Sequence, residues 1–587
     1  MKKHDWYYVK RLTSFLSKYK IKYIFIFMLM IVKIVLAVLS PQITQNIVDD
    51  AINNQNLSLL VTLSIAMLII VVLDGGITIL VKYLSTKIGK TIATSIRIKC
   101  LRHIEKMSGE YYTTTEPGEI FSTLYGDINN IEPITTSILV SFFSETLTAL
   151  GVLIFLAFTQ IDLLVLVLLV QPLIILSQSF FQGKVRTFSE RLRTTFGKFT
   201  SLLDEKLRNL MGCKISGANR FFYSQYIPLE KELIHNSVSL ESTHAINSSV
   251  MNLLSTILSV GIIAYGGYKV IINKLTFGGI ITFSAYAQRL VAPLLSIAGL
   301  ALQYKQAMVS LKRIINLLDM EPAISQEGGY MPADVKGEIE FRDVHFAYKS
   351  DVNILLGVSA NMKPGHLYAF VGESGSGKST IANLLYRLWD VQKGEILIDG
   401  LPIDKYNLSA LRKCIYIVSQ DPFLLNATIS DNIMLGRNDI TSEQLADAIA
   451  FADIDDLIKS LPEGLNTYIG ENGVRLSGGE RQRISLARAF LQKAQIIIFD
   501  ESTSALDVES ESKVLSAIRK VFSDKTVIII THRLYALTNS NEIIVLKNGR
   551  ITETGTHEAL MAHKSDYFNL WIKQSNEKEN VHEIGCP

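Results

Sequence analysis

Six apolar stretches fill the first half of the chain, over residues 21–40, 57–81, 134–158, 161–181, 246–272 and 277–302. Each is near or above the ~20 residues an α-helix needs to cross a bilayer. Six in succession predict a helical membrane domain, not the buried helices of a soluble core. The connection "RTFSERLRTTFGKFTSLLDEKLRNL" is charged yet helically patterned, so the spans are expected to run on beyond the membrane as long helices. After residue 302 the apolar density falls, and a helix gives way to a Pro/Gly linker, "EPAISQEGGYMPADVKG". From Gly337 short apolar runs alternate with helical stretches: "GEIEFRDVHFAY", "LYAFVG", "CIYIVS", "IIIFD", "TVIIIT" and "EIIVLKNG". That alternation predicts a mostly parallel α/β sheet. The expected divisions are a segment 1–20, a six-helix domain 21–320, a linker 321–337, an α/β domain 338–575 and a tail 576–587.

Lys and Arg orient the spans. Residues 1–20 carry six of them, 82–133 seven and 182–245 ten, whereas "PQITQNIVDDAINNQN" and "TQID" carry none and "NKLT" only Lys274. Both termini and both long connections are therefore expected in the cytosol of a plasma membrane. The basic start lacks a signal-peptide pattern, and no leader-cleaving domain is expected. Mean hydropathy is +0.26 over 587 residues, which fits a membrane protein. A net charge of +3 is too slight to point to nucleic acid. Cys100, Cys213, Cys414 and Cys586 lie far apart and read as reduced thiols. Lys-, Ile- and Asn-rich usage suggests a bacterial source.

The chemistry is concentrated in the second half. "GESGSGKST" follows an apolar strand and opens a helix, the context of a phosphate-binding loop. Gly372, Gly375 and Gly377 let backbone N–H groups converge on phosphate oxygens, with Ser374, Ser376 and Thr380 in the same cradle. Lys378 is placed for the β- and γ-phosphates, and Ser379 for Mg²⁺. At the end of "IIIFDE", Asp500 would hold Mg²⁺ through water and Glu501 would polarise the attacking water.

"LSGGERQR", between the phosphate loop and "IIIFDE", resembles the signature of ATP-binding-cassette ATPases. Six spans ahead of one cassette resemble an exporter half-transporter of the multidrug, peptide or lipid type. The resemblance covers about residues 10–575. It implies a helical membrane domain with long cytosolic extensions, fused to an α/β P-loop NTPase domain. It also implies ATP and Mg²⁺ as ligands and further roles by position. Tyr348 matches the aromatic that stacks on adenine, and Gln420 the loop glutamine that reaches Mg²⁺. Glu471 matches a loop facing the membrane domain, "SALD" at 504–507 the loop linking two ATP sites, and His532 the switch histidine at the γ-phosphate. Residues 113–119 and 217–226 resemble two coupling helices, with Phe221 and Phe222 as plugs into a cassette, usually the partner's.

Ser477, Gly478 and Gly479 offer a hydroxyl, close-approaching N–H groups and a helix N-terminus, together an anion site. The family uses it in trans, closing a partner's nucleotide. Because Glu501 and the signature are both intact, a self-paired dimer would have two complete sites, so a homodimer is preferred over a heterodimer. Glu480, where many relatives have Gln, and Ser502, where many have Ala, do not weaken that reading. Arg481, Arg483 and Arg488 read as a basic face that caps the fold. Lys33, Asp74, Glu145 and Arg289, with Gln171 and Gln288, are intramembrane polar candidates. Arg289 is expected to face the translocation cavity, with a pair to Asp74 or Glu145 as the alternative. A cavity of mixed charge suits an amphipathic peptide of the bacteriocin or modified natural-product type. The alternative is a drug or lipid exporter. Further alternatives are an importer on the exporter fold and an ATP-gated regulator. Six spans exclude a nucleic-acid ATPase.

Overall fold

The computed structural model describes residues 3–583, except 160, 325–327, 333, 350–351, 438, 471–472, 474–475 and 506–507. Its contacts separate two units. One comprises Met1–His103 with Gly118–Met320, the other Ile104–Pro117 with Glu321–Pro587.

Among the described residues of the first unit, six long helices stand out: α1 (Lys20–Asn46), α2 (Leu57–Ile104), α3 (Leu139–Thr159), α4 (Ile161–Arg208), α5 (Asn219–Ile271) and α6 (Phe277–Asp319). Among the described residues, five segments are long and apolar enough to cross a membrane: Trp6–Ile52, Leu57–Ile104, Pro117–Phe158, Ile161–Arg208 and Asn219–Ile271. The helix α6 is the sixth of the series. Its protein-facing core joins Leu156 of α3, Leu163 and Val167 of α4, Ile262 of α5 and Phe283 and Tyr286 of α6. Apolar side chains also cover the outside, with Phe158 88% and Leu169 70% exposed. An apolar exterior of this extent is stable only in lipid.

One expectation fails in this unit, and one boundary is extended. The helix of the first apolar stretch runs on past it, for α1 continues to Asn46 with Pro41 inside it. Proline has no N–H to give the carbonyl four residues back, which is that of Ala37. Arg289 supplies the missing donor through its Nη1 to Ala37 O. Tyr286 donates to Val38 O, and Thr282 to Pro41 O at 2.9 Å. These three residues, spaced by four and three, share one face of α6. Arg289 is thus engaged with a backbone carbonyl of α1. Among the described residues no ion pair joins it to Asp74 or Glu145. Asp49 completes the staple, accepting from Gly278 N at 2.9 Å and Thr276 Oγ1 at 2.5 Å at the start of α6. Gly278 is small of necessity, since a Cβ there would lie 2.7 Å from the Asp49 carboxylate. The expectation that fails is Phe222 as a plug. It is buried within its own chain, with the Lys206 ammonium 3.9 Å from its ring centroid. Only Phe221, 68% exposed, is available as a plug.

The second unit holds two sheets. The larger orders its strands β10-β9-β3-β8-β7-β6, where β3 is Leu367–Val371, β6 Ile415–Val418, β7 Ile496–Asp500, β8 Thr526–Ile530, β9 Glu542–Lys547 and β10 Arg550–Gly555. All neighbours are parallel except β10 on β9. The other sheet, β2-β1-β4-β5, is antiparallel, with β1 Ile339–Lys349, β2 Val352–Met362, β4 Lys393–Ile398 and β5 Leu401–Pro402. Strands β3 and β8 are buried at every residue, because both faces of the parallel sheet are covered. Residues 104–117 pack on this unit. Gly109 N donates to Leu388 O at 2.9 Å, and a Cβ on Gly109 would lie 2.5 Å from the Trp389 ring. The tight contact thus centres a few residues before the stretch 113–119 singled out in the sequence.

Removing Arg289 orphans the Ala37 carbonyl, which costs ~1–3 kcal/mol for a buried group. Arg289→Ala is therefore expected to lower the thermal midpoint of the purified protein in detergent. Adding Pro41→Ala, which restores a donor within α1, should recover most of that loss. A double variant no more stable than Arg289→Ala would contradict this account.

Candidate nucleotide site

The parallel register brings the functional loops to one edge. Ile530 of β8 stands level with Phe370 of β3 and with Asp500 of β7. The chain therefore leaves β3, β7 and β8 side by side, at the carboxyl edge where α/β sheets bind ligands. From β3 it turns through Gly372 into α7 (Lys378–Leu385). Gly372 has φ 151°, and a Cβ there would sit 2.1 Å from Leu546 O. No other residue fits. Gly377 caps α7 at φ 105°. Ser374 is exposed in the turn, while Ser376 is buried and its Oγ has no hydrogen-bond partner among the described residues. Lys378 is buried and donates to Gly372 O at 2.9 Å and Glu373 O at 2.8 Å. Burial pulls its ammonium below the usual lysine range, against the pull of Glu501 and Asp500.

Ser379 Oγ donates to Asp500 Oδ1 at 3.1 Å. Burial pushes the Asp500 carboxyl above its ordinary value, opposed by that hydrogen bond. Glu501 follows in a left-handed conformation, φ 47°, with its N–H on Ile530 O at 2.8 Å. Such a backbone is unfavourable for glutamate and persists only where the surroundings impose it. Gln420 Nε2 donates to Glu501 Oε2 at 2.8 Å, and His532 Nδ1 lies 3.5 Å from Glu501 Oε1. Lys378, Ser379, Asp500, Glu501, Gln420 and His532 thus converge. Tyr348 joins from β1. Its hydroxyl donates to Thr380 Oγ1 at 3.2 Å and accepts from Asn383 at 3.3 Å, and the residue is 39% exposed. Trp389, which the sequence reading passed over, packs edge-on to Tyr348 at 5.0 Å and also meets Gly109.

The signature forms helix α8 (Gly478–Phe490), and Ser477 is its N-cap. Ser477 Oγ accepts from Glu480 N at 3.3 Å, and Glu480 Oε2 accepts from Ser477 N at 2.6 Å. Glutamate at 480 thus completes a capping box. Ser477, Gly478 and Gly479 line an open cleft of about 710 Å³ with Asp453, Asp456 and Arg483. Its lining contains no residue of the phosphate loop, nor Asp500, Glu501 or His532. Of the nearby carboxylates, Glu480 is held in the cap and Asp453 pairs with Arg483 at 2.6 Å. The arginines serve the fold. Arg488 is buried on Asn432 and Phe423 carbonyls, and Arg481 reaches Leu476 O at 3.3 Å. Glu471 and Asp507 lie outside the described residues.

Sequence reasoning missed Gln482, which is buried on α8. Its Oε1 accepts from Ala505 N at 3.0 Å, and its Nε2 donates to Ser504 Oγ at 3.3 Å. It lies on the helix stripe with Ser485, Leu486 and Ala489, all buried, so a polar residue at an apolar-stripe position was the available signal.

Residues 23–294 match the ABC transporter transmembrane region, and residues 355–504 match the ABC transporter family. An ATP-dependent lipid A-core flippase of Syntrophus aciditrophicus is 32% identical, covering 92% of this chain and 89% of the relative. A Bacillus subtilis protein named for multidrug export as an ATP-binding/permease protein is 31% identical, covering 97% and 99%. A solved bacterial Atm1-family ABC exporter with ATP bound superposes with a TM-score of 0.80 at 25% identity, over 95% of this chain and 99% of that one. The chain belongs to the ABC exporters, membrane-spanning transporters that couple ATP hydrolysis to transport.

Proposed function

We propose that two copies of this chain form an exporter for an amphipathic lipid or drug-like molecule, with the termini in the cytosol. The observation that carries the dimer is that the cleft lined by Ser477–Gly479 has no residue of the chain's own phosphate loop in its wall. That anion site opens into a cleft without a nucleotide-binding loop of its own, which suits a second copy's nucleotide. The Lys and Arg distribution supports the orientation.

The residues fit ATP and Mg²⁺. The unpartnered Ser376 Oγ, the left-handed glycines and the buried Lys378 make a cradle for phosphate. Ser379 and Asp500 form an oxygen pair suited to a hard cation, with Gln420 bonded to the adjacent Glu501. When bound, Mg²⁺ would neutralise charge on the phosphate oxygens. Lys378 exchanges its bonds to loop carbonyls for phosphate oxygens. Glu501 holds and polarises water, Gln420 and His532 fix the orientation of Glu501, and Tyr348 presents its ring to adenine. Closure of two cassettes turns the membrane domain outward, and hydrolysis resets it.

For the cargo, the names of the relatives favour lipid or drug over the peptide suggested by a cavity of mixed charge. The role of Arg289 also weakens the peptide reading, since its guanidinium serves the Ala37 carbonyl that Pro41 leaves without a donor. In inverted vesicles, ATP should drive uptake of a fluorescent phospholipid or lipophilic dye and leave a labelled amphipathic peptide outside. Peptide uptake alone would reverse the cargo assignment, and ATP-dependent loss from loaded vesicles would reverse the direction.

Glu501→Gln is expected to keep nucleotide affinity within about 2-fold and to lower kcat at least 100-fold, the size of effect that loss of a positioned base produces. Near-normal turnover would remove Glu501 from that role. Asp500→Asn should raise the thermal midpoint of the nucleotide-free protein, because a neutral amide avoids burying charge. The same variant should lose the additional stabilisation by Mg²⁺ over ATP alone. An unchanged Mg²⁺ increment would contradict the metal assignment.

A further inference from the structure

The loop that follows Glu501 is anchored to a carboxylate outside the site described above. Glu511 lies on α9 (Val508–Val521) and is 1% exposed. Its Oε1 accepts from Thr503 Oγ1 at 2.8 Å. Its Oε2 accepts from Arg533 Nη1 at 3.0 Å and from Tyr535 OH at 3.1 Å. Arg533 also donates through Nη2 to Ser504 O at 2.5 Å. Thr503 and Ser504 belong to the loop after Glu501. Arg533 and Tyr535 belong to the loop after His532.

We propose that Glu511 is a positioning residue for ATP hydrolysis, one buried carboxylate that fixes the loops carrying Glu501 and His532 against each other. The proposal rests on the hydrolytic reading of Glu501 given above. Three observations carry it. A fully buried carboxylate is costly unless paired and hydrogen-bonded, and here all three partners come from the two functional loops. Glu501 stands at φ 47°, a conformation its own backbone does not favour. Ser502 and Thr503, which follow it, are buried, so their anchorage helps impose that conformation. Finally, Gln482 holds the same loop from the other side, at Ser504 and Ala505. Residues 503–505 are therefore clamped by the loop after His532 through Glu511 and by the signature helix through Gln482. Loosening the Glu511 side would let Glu501 and His532, now 3.5 Å apart, drift relative to each other. Misplacement on the order of 1 Å costs up to ~100-fold in rate while binding contacts survive.

The test uses the full-length protein in lipid nanodiscs, with steady-state ATPase kinetics and binding of a fluorescent ATP analogue. Thr503→Val deletes the loop's hydroxyl without changing its size. It should lower kcat by roughly 5- to 20-fold while the analogue's affinity stays within about 2-fold, the split expected of lost transition-state positioning. Thr503→Ser, which restores the hydroxyl, should recover most of the turnover. Glu511→Gln should lower kcat further with the same split. If Glu511→Gln fails to fold, the threonine pair decides the matter. Thr503→Val with the kcat of the parent protein would overturn the proposal. So would equal losses of kcat and nucleotide affinity, which signal general loosening of the fold. Glu501→Gln runs in parallel. Turnover in that variant would sink the reading of Glu501, whereas an inactive Glu501→Gln beside a normal Thr503→Val would sink the positioning claim alone.

Discussion

Parallel pairing of β3, β7 and β8 is the constraint on which the chemistry of the chain rests. Level register at Phe370, Asp500 and Ile530 sets three chain exits side by side. The loop through Gly372 leaves one, Asp500 and Glu501 end another and His532 follows the third. Each exit is a tight, specified turn. Gly372 touches Leu546 O so closely that a methyl group would not fit, and Glu501 is held at positive φ. A slip of one residue in any of these strands would turn its side chains to the opposite face and scatter Lys378, Glu501 and His532. The fully buried β3 and β8 hold that register through apolar packing on both faces.

The membrane half solves a different problem with backbone groups. Lipid offers no hydrogen bonds, so a carbonyl freed by proline needs a partner inside the protein. Arg289 gives the Ala37 carbonyl that partner, and Tyr286 and Thr282 add donors to Val38 O and Pro41 O from the same face of α6. An ionisable residue in a span invites a functional reading. Here its geometry answers first to a structural need, so the charge pattern alone carries little information about cargo.

Much of this was legible in the sequence. The spans announce themselves by length and hydropathy. The phosphate loop, Asp500 and Glu501 are legible because the chemistry fixes both residue type and distance from a strand. What escaped were residues whose role depends on tertiary neighbours. Glu511 shares the helix stripe of Val514, Leu515 and Ile518, all buried, and a carboxylate on that stripe was a visible anomaly whose partners were not. Gln482 is the same case on α8. The antiparallel sheet went unread in part because Lys393–Ile398 opens on a charged, Gly-containing stretch whose pairing with β1 is nonlocal. The extension of α1 past Pro41 was hidden because the compensating donor lies about 250 residues away.

The central claim is that Ser477–Gly479 acts on the nucleotide of a second copy, and complementation tests it most directly. Dimers are assembled from two differently tagged chains, one bearing Lys378→Ala and the other Ser477→Arg, and compared with dimers of the double variant and the parent chain. If the signature serves the partner, the first pairing keeps one intact site and the second keeps none, so ATPase activity should survive only in the first. Activity that survives only in the second pairing would show that each chain completes its own site, and would contradict the account.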